Sequence, residues 1–212
     1  VNKLFYKTIQ QHHEHEIPKI KGSRFIGNIF PIKNKEEAEK YLKEIQEKYR
    51  DATHNCYAYV CGSKVNYDLF GNLEITPEHF KYSDDGEPTN TAGKPILAQI
   101  QGHDLHNILV VVTRYFGGTM LGVGGLIQAY GECAKHVIEH SKIIEQEISK
   151  NLKFSYEFDL VPIVRNILNK YNAKIMKETY DKEVDCEIQI NSGYIEIFKK
   201  ELFENSKGQI QI

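Results

Sequence analysis

The sequence has no tryptophan and only two methionines, four cysteines and six prolines among its 212 residues. The cysteines, Cys56, Cys61, Cys133 and Cys186, form no C-x-x-C pair and are too widely separated for a zinc knuckle. Cys56 and Cys61 stand five apart in a strand-like run, an odd offset that points them to opposite faces. Reduced thiols in a cytoplasmic protein are therefore expected, not a disulfide framework. Long apolar runs are also missing, and none approaches the ~20 residues of a transmembrane helix. The first residues, through Pro18, lack the apolar stretch and small-residue cleavage site of a secretory signal. Neither charge dominates: 27 basic residues face 29 acidic ones, for a net charge of −2. Seventeen basic and 18 acidic residues lie up to Glu145, with ten and 11 after it. A chain that is basic throughout is excluded, so an RNA partner or a membrane surface would have to use a local patch.

What is present describes an ordered protein. It is 41% hydrophobic, 26% charged and 11% aromatic, long enough for one or two domains with a sizeable core. Lys21 to Ile32 reads as a strand with glycine breaks. Asn34 is placed to cap an amphipathic helix reaching Tyr49, in which Ala38, Tyr41, Leu42, Ile45 and Tyr49 recur at helical spacing. His54 to Cys61 is a strand, Asn66 to Ile75 a loop or irregular hairpin, and Ser83 to Pro95 a turn-rich loop. Pro95 opens a short helix ending near Gly102. Asn107 to Thr113 is the strongest strand, and its unbroken apolar run implies burial on both faces. A helix from about Gly125 to Ser141 carries Leu126, Tyr130, Cys133, Ala134, Val137 and Ile138 as its buried stripe. A shift in composition near Glu145 to Ser149 divides the chain into residues 1–145 and 146–212. The second part runs strand, helix, strand, strand, helix, a ferredoxin-like order, with Gly208 to Ile212 a candidate last strand. The fold class is α+β in two domains.

Two segments carry candidate chemistry. Arg114, Tyr115, Phe116, Gly117 and Gly118 end a buried strand in a glycine-rich loop that enters a helix. Backbone N–H groups there can converge on an anion, with Arg114 adding bidentate recognition; equally, the glycines can serve a tight turn and close packing. Neither a dinucleotide fingerprint nor a Walker loop fits, because Ile127 and Val123 stand where glycine and lysine are needed. The second segment is Asp84, Asp85, Gly86 and Glu87, followed by Thr91 and Lys94. Its carboxylates suit either a binding loop or turn formation, and the spacing of a calcium loop is absent. His54 and Cys56 share a strand face, as a Cys–His nucleophilic pair would, but a packed cysteine beside a hydrogen-bonded histidine is the default. His136 to His140 matches H-x-x-E-H, yet lies on the outer flank of a core helix and is read as solvated surface. His12 to His15 is read as a solvated, mobile end. No metal and no cofactor are expected.

Ala52 to Ala58, Ser83 to Pro88, Thr91 to Pro95 and Val112 to Gly118, the last followed by Leu121 to Leu126, together resemble the YigZ/IMPACT family. The resemblance covers the N-terminal part; the remainder is similar in arrangement to the smaller C-terminal domain of the bacterial YigZ branch. It implies a first domain similar in fold to the second domain of a small-subunit ribosomal protein and to the fourth domain of elongation factor G. The second domain it implies is like the ferredoxin-like fifth domain of that factor. The eukaryotic IMPACT branch regulates translation by competing for an activator of a translational-control kinase, through a chain that also carries a partner domain not found in this sequence. The expectation is a binding or regulatory protein of translation, with RNA, the ribosome or a translation-related protein as partner and no membrane. Its site would join His54, Asp84, Asp85, Glu87, Thr91, Lys94, Arg114, Tyr115, Phe116, Gly117 and Gly118, with Arg114 on an anion. The alternative is a hydrolase-like enzyme acting on a small anionic substrate, with His54, Asp84, Asp85 or Glu87 as acid–base groups.

Overall fold

The structure, a computed structural model, describes residues 4–67 and 73–212. By its contacts the chain divides into two compact units, residues 6–146 and residues 147–212 with the first five residues. In the first unit, β1 (Phe5–Ile9), β2 (His13–Ile20) and β3 (Ser23–Pro31) precede α1 (Lys35–Lys48) and β4 (His54–Cys61). The hairpin of β5 (Lys64–Tyr67) and β6 (Leu73–Thr76) follows, then β7 (His79–Ser83), α2 (Gly93–Gly102), β8 (Ile108–Tyr115), α3 (Gly122–Glu139) and β9 (Ile143–Glu147). The part of the expected 66–75 loop or hairpin at 68–72 lies outside the described residues, and its flanks pair as β5 and β6.

Five strands form one antiparallel sheet in the order β2-β3-β8-β4-β7. β8 runs through its centre, and every residue from Ile108 to Arg114 is buried. Its side chains alternate between two cores. Val110 and Val112 join Cys56, Ala58, Phe25 and Ile29 beneath α2 and α3. Leu109 and Val111 join Tyr57, Tyr59, Cys61 and Phe30 beneath α1. This is why the strand reads as continuously apolar, and why Cys56 and Cys61 enter different cores. All four cysteines are buried free thiols. Asn34 caps α1 by accepting the Glu37 N–H at 2.9 Å.

The sequence expectation fails at His12 to His15. This segment is not a mobile end: His13, Glu14 and His15 pair with Ile29, Asn28 and Gly27 of β3, and His12 stacks on Phe30 at 4.1 Å. Backbone pairing and one packed face hold a strand whose polar alternation gives no hydrophobic signal.

The second unit runs β10 (Ser149–Tyr156), α4 (Val161–Lys170), β11 (Lys174–Tyr180), β12 (Val184–Asn191) and α5 (Ile195–Asn205), and its three strands form an antiparallel sheet in the order β10-β12-β11. Val164, Ile167 and Leu168 of α4 pack with Phe198 and Leu202 of α5 against Val184, Cys186, Ile188 and Ile190 of β12. The expected last strand is absent. Ile210 is buried in this core, and its N–H is held by the Ser206 hydroxyl at 3.0 Å instead of by a neighbouring strand. Among the described residues no helix is long and apolar enough to cross a membrane.

Candidate functional site

The loop between β7 and α2 is fastened to the start of β4. Asp84 accepts the backbone N–H groups of Asn90 at 2.8 Å, Ala92 at 3.0 Å and Gly93 at 2.9 Å. Its carboxylate caps α2 from eight residues upstream, because the N-cap residue, Ala92, has no side chain to do so. Asp85 adopts a left-handed conformation, with φ 42°. The turn puts its Oδ2 on the Asn55 N–H and its carbonyl oxygen on His54 Nδ1, both at 2.7 Å. The Cys56 thiol donates to the Asp84 carbonyl at 3.0 Å.

Beyond this turn the Glu87 side chain points inward. Its Oε1 accepts from Arg114 Nη1 at 2.5 Å and from the Tyr130 hydroxyl at 2.8 Å, with His54 Nε2 at 3.9 Å. Arg114 is 5% exposed, its Nη2 donates to the Ser23 hydroxyl at 3.3 Å, and its Nε is buried without a hydrogen-bond partner among the described residues. The guanidinium lies over the rings of Phe25 and Phe116, 5.6 and 5.5 Å from their centroids. Burial, reinforced by Cys56 and Glu87, pushes the Tyr130 hydroxyl far above its ordinary pKa, so it stays a donor. Burial also pushes the Cys56 thiol far up, which removes it as a nucleophile despite its place beside His54.

Over this pair lies a cleft of about 330 Å³. Glu87, Pro88 and Arg114 form one part of its lining, and Phe116 with the segment from Met120 to Val123 and Leu126 the rest. The rim is exposed and apolar: Phe116 is 48% exposed, Val123 60% and Met120 85%. The route from β8 to α3 that carries this rim depends on Gly117. A Cβ there would sit 1.9 Å from the Gly22 carbonyl carbon. The Gly117 N–H meets the Ser23 hydroxyl at 3.2 Å, the same oxygen that Arg114 reaches.

The structure thus gathers His54, Asp84, Asp85, Glu87, Arg114 and Phe116, with the Gly117 backbone on the Ser23 hydroxyl that Arg114 also reaches, and gives the side chains of Tyr115, Thr91 and Lys94 other surroundings. Tyr115 alternates to the other face of the sheet, where its hydroxyl meets Asp51 at 2.8 Å and Arg24 covers its ring. Thr91 is buried, with its hydroxyl on the Pro88 carbonyl at 2.6 Å. Lys94 is exposed on the first turn of α2 and does not line the cleft. Gly117 and Gly118 contribute a turn: Gly117 packs against Gly22 and Gly118 adopts φ 88°. The role expected of Arg114 also changes, since Glu87 already meets its charge. Sequence reasoning missed Ser23 and Tyr130, which complete the buried network. It also missed Met120 and Val123, for which the visible signal was two apolar residues in a glycine-rich segment with no core period.

Fold and site together define a two-unit α+β protein with a preformed, mainly apolar cleft over a neutralised ion pair. The Impact N-terminal domain family matches residues 21–138. The chain belongs to the IMPACT family. It is 34% identical over 196 residues to an IMPACT family member of Haemophilus influenzae, covering 91% of this chain and 89% of that protein. It is 31% identical over 207 residues to IMPACT family member YvyE of Bacillus subtilis, covering 98% and 89%. Protein IMPACT of Danio rerio is 32% identical over 102 residues, 47% of this chain and 29% of its own length. The crystal structure of a hypothetical protein superposes with a TM-score of 0.71 at 27% identity, covering 100% of this chain and 97% of that one.

Proposed function

We propose that the protein is a binding protein that regulates translation by docking an apolar segment of a partner protein into the cleft between Glu87–Arg114 and the start of α3. The observation that carries this reading is the exposed rim of Phe116, Met120 and Val123 around a concave apolar surface. Large side chains left in water around a preformed hollow are the mark of a recognition surface. The charged groups expected to do acid–base work are committed elsewhere: Asp84 caps a helix, Asp85 holds β4, and Glu87 is paired with Arg114. A protein segment is favoured over RNA because phosphate recognition needs unpaired cations, and Arg114 is not one. On the open sheet face of the second unit, Lys153 is likewise paired, 3.4 Å from Glu187. The link to translation rests on what the resemblance to the eukaryotic IMPACT branch implies.

Co-purification from cell lysate with and without ribonuclease tests the reading. We expect translation components to be recovered in both cases and to be lost with Met120→Glu/Val123→Glu, whose exposed positions leave thermal stability unchanged. Recovery that disappears with ribonuclease, or survives the double substitution, contradicts it.

One observation favours an enzyme acting on a small anionic substrate. His54 must donate Nδ1–H to the Asp85 carbonyl, which leaves Nε2 as a base 3.9 Å from Glu87. A screen of hydrolase substrates with and without divalent metal separates the two: turnover abolished by His54→Ala and kept in Met120→Glu supports the enzyme.

A further inference from the structure

A second constellation sits at the other end of α3 from the cleft. The edge strand β2 places His13 and His15 on one face, and His136 and His140 lie one turn apart near the end of α3. One potential ligand atom from each of His15, His136 and His140 lies within 4.8 Å of the other two. The His15 ring centre is 4.1 Å from that of His140 and 5.8 Å from that of His136. His140 Nδ1 donates to the His136 carbonyl at 2.8 Å. That bond fixes the tautomer and leaves the Nε2 lone pair free, the same backbone-to-imidazole support seen behind metal ligands. His13 stands beside the group, 6.5 Å from His15 between ring centres, and its Nε2 is buried with no hydrogen-bond partner among the described residues. No hydrogen bond joins the three rings to one another among the described residues, so the cluster contributes no such bond to the fold.

We infer that His15, His136 and His140 form a binding site for a borderline divalent cation of the zinc class. Three neutral imidazoles suit zinc, nickel or copper and are poor hosts for magnesium or calcium, which take oxygen. Tetrahedral zinc with bonds of about 2.0 Å sets its nitrogens about 3.3 Å apart, within reach of small side-chain rotations here. Three protein ligands leave the fourth position to water. Glu139, the carboxylate of H-x-x-E-H, lies 3.7 Å from Lys135, so the motif supplies two imidazoles and the strand β2 supplies the third. The sequence pattern alone could not show this, because His15 is 121 positions from His136.

Titration calorimetry of the untagged full chain with zinc chloride tests the site, with cobalt(II) substitution as the spectroscopic readout. We expect one equivalent bound and the intense visible bands of a tetrahedral cobalt centre. His140→Ala, at an exposed position, should weaken zinc binding by more than about 100-fold, beyond what outer-shell changes cost elsewhere. His15→Asn should do the same while far-UV circular dichroism stays unchanged. No zinc uptake by the wild-type chain, or wild-type affinity retained in His140→Ala, overturns the inference.

Discussion

At the residue scale, the centre of the site is a buried ion pair that is tied down on several sides. Glu87 is held by Arg114 and Tyr130, and Arg114 by Glu87 and Ser23. Such a pair adds little net stability over an apolar substitute, but removing one partner leaves the other charge buried and alone. Arg114→Ala should therefore lower the unfolding free energy by about 3–5 kcal/mol in denaturant titrations. Arg114→Met/Glu87→Gln should recover a large part of that loss. A double-variant loss equal to the sum of the losses in Arg114→Met and Glu87→Gln alone would show that the pair is not coupled. At this scale the residue types at the ends of β4 and β8 were legible in the sequence, but their roles were not. Arg114 at the mouth of a glycine-rich turn looks like an anion receptor until Glu87, 27 positions away, is seen to occupy it.

At the scale of elements, β8, α1 and α3 were legible because each carries a strong period: an unbroken apolar run, a capped amphipathic pattern, a stripe at helical spacing. The start of α2 was not, since its cap is Asp84 in the preceding loop. β2 was missed for a related reason: an edge strand of alternating His and Glu owes its place to β3. In the second unit, Glu178 of β11 joins three elements. It accepts from Arg165 of α4 at 2.6 Å, from Tyr156 of β10 at 3.0 Å and from Tyr180 of its own strand at 2.8 Å. Burial alone would raise its pKa, but the hydrogen bonds from Tyr180, Arg165 and Tyr156 outweigh that and hold it below 4.5. A depressed carboxylate contributes stability that is fully present above its unfolded pKa, near 4.5, and lost as pH falls through the lower folded value. Near-ultraviolet circular dichroism of the tyrosines should report a loss of stability below about pH 4.5, and Glu178→Gln should flatten that acid limb. An unchanged limb would mean that the three hydrogen bonds do not favour the ionised form.

At the scale of the molecule, the two units carry different surfaces. The first has the apolar cleft and the histidine cluster at opposite ends of α3. The second presents an open sheet face on which Lys153, Lys177, Asp185 and Glu187 mix both signs. The α+β class and the family were legible, because four ordered motifs fall on the loops and strand ends that meet around Glu87. The apolar rim was not, since exposure is a property of the folded surface that no local pattern announces. The chain's two methionines provide one probe in each unit, Met120 on the rim at 85% exposure and Met176 on β11 at 56%. The most direct measurement is therefore the methyl-methionine NMR spectrum of the whole chain, titrated separately with ribosomal and ribosome-free fractions of lysate. Partner docking at the cleft should shift or broaden the Met120 signal and leave Met176 in place. A response at Met176 alone, or at neither methyl, would contradict the account.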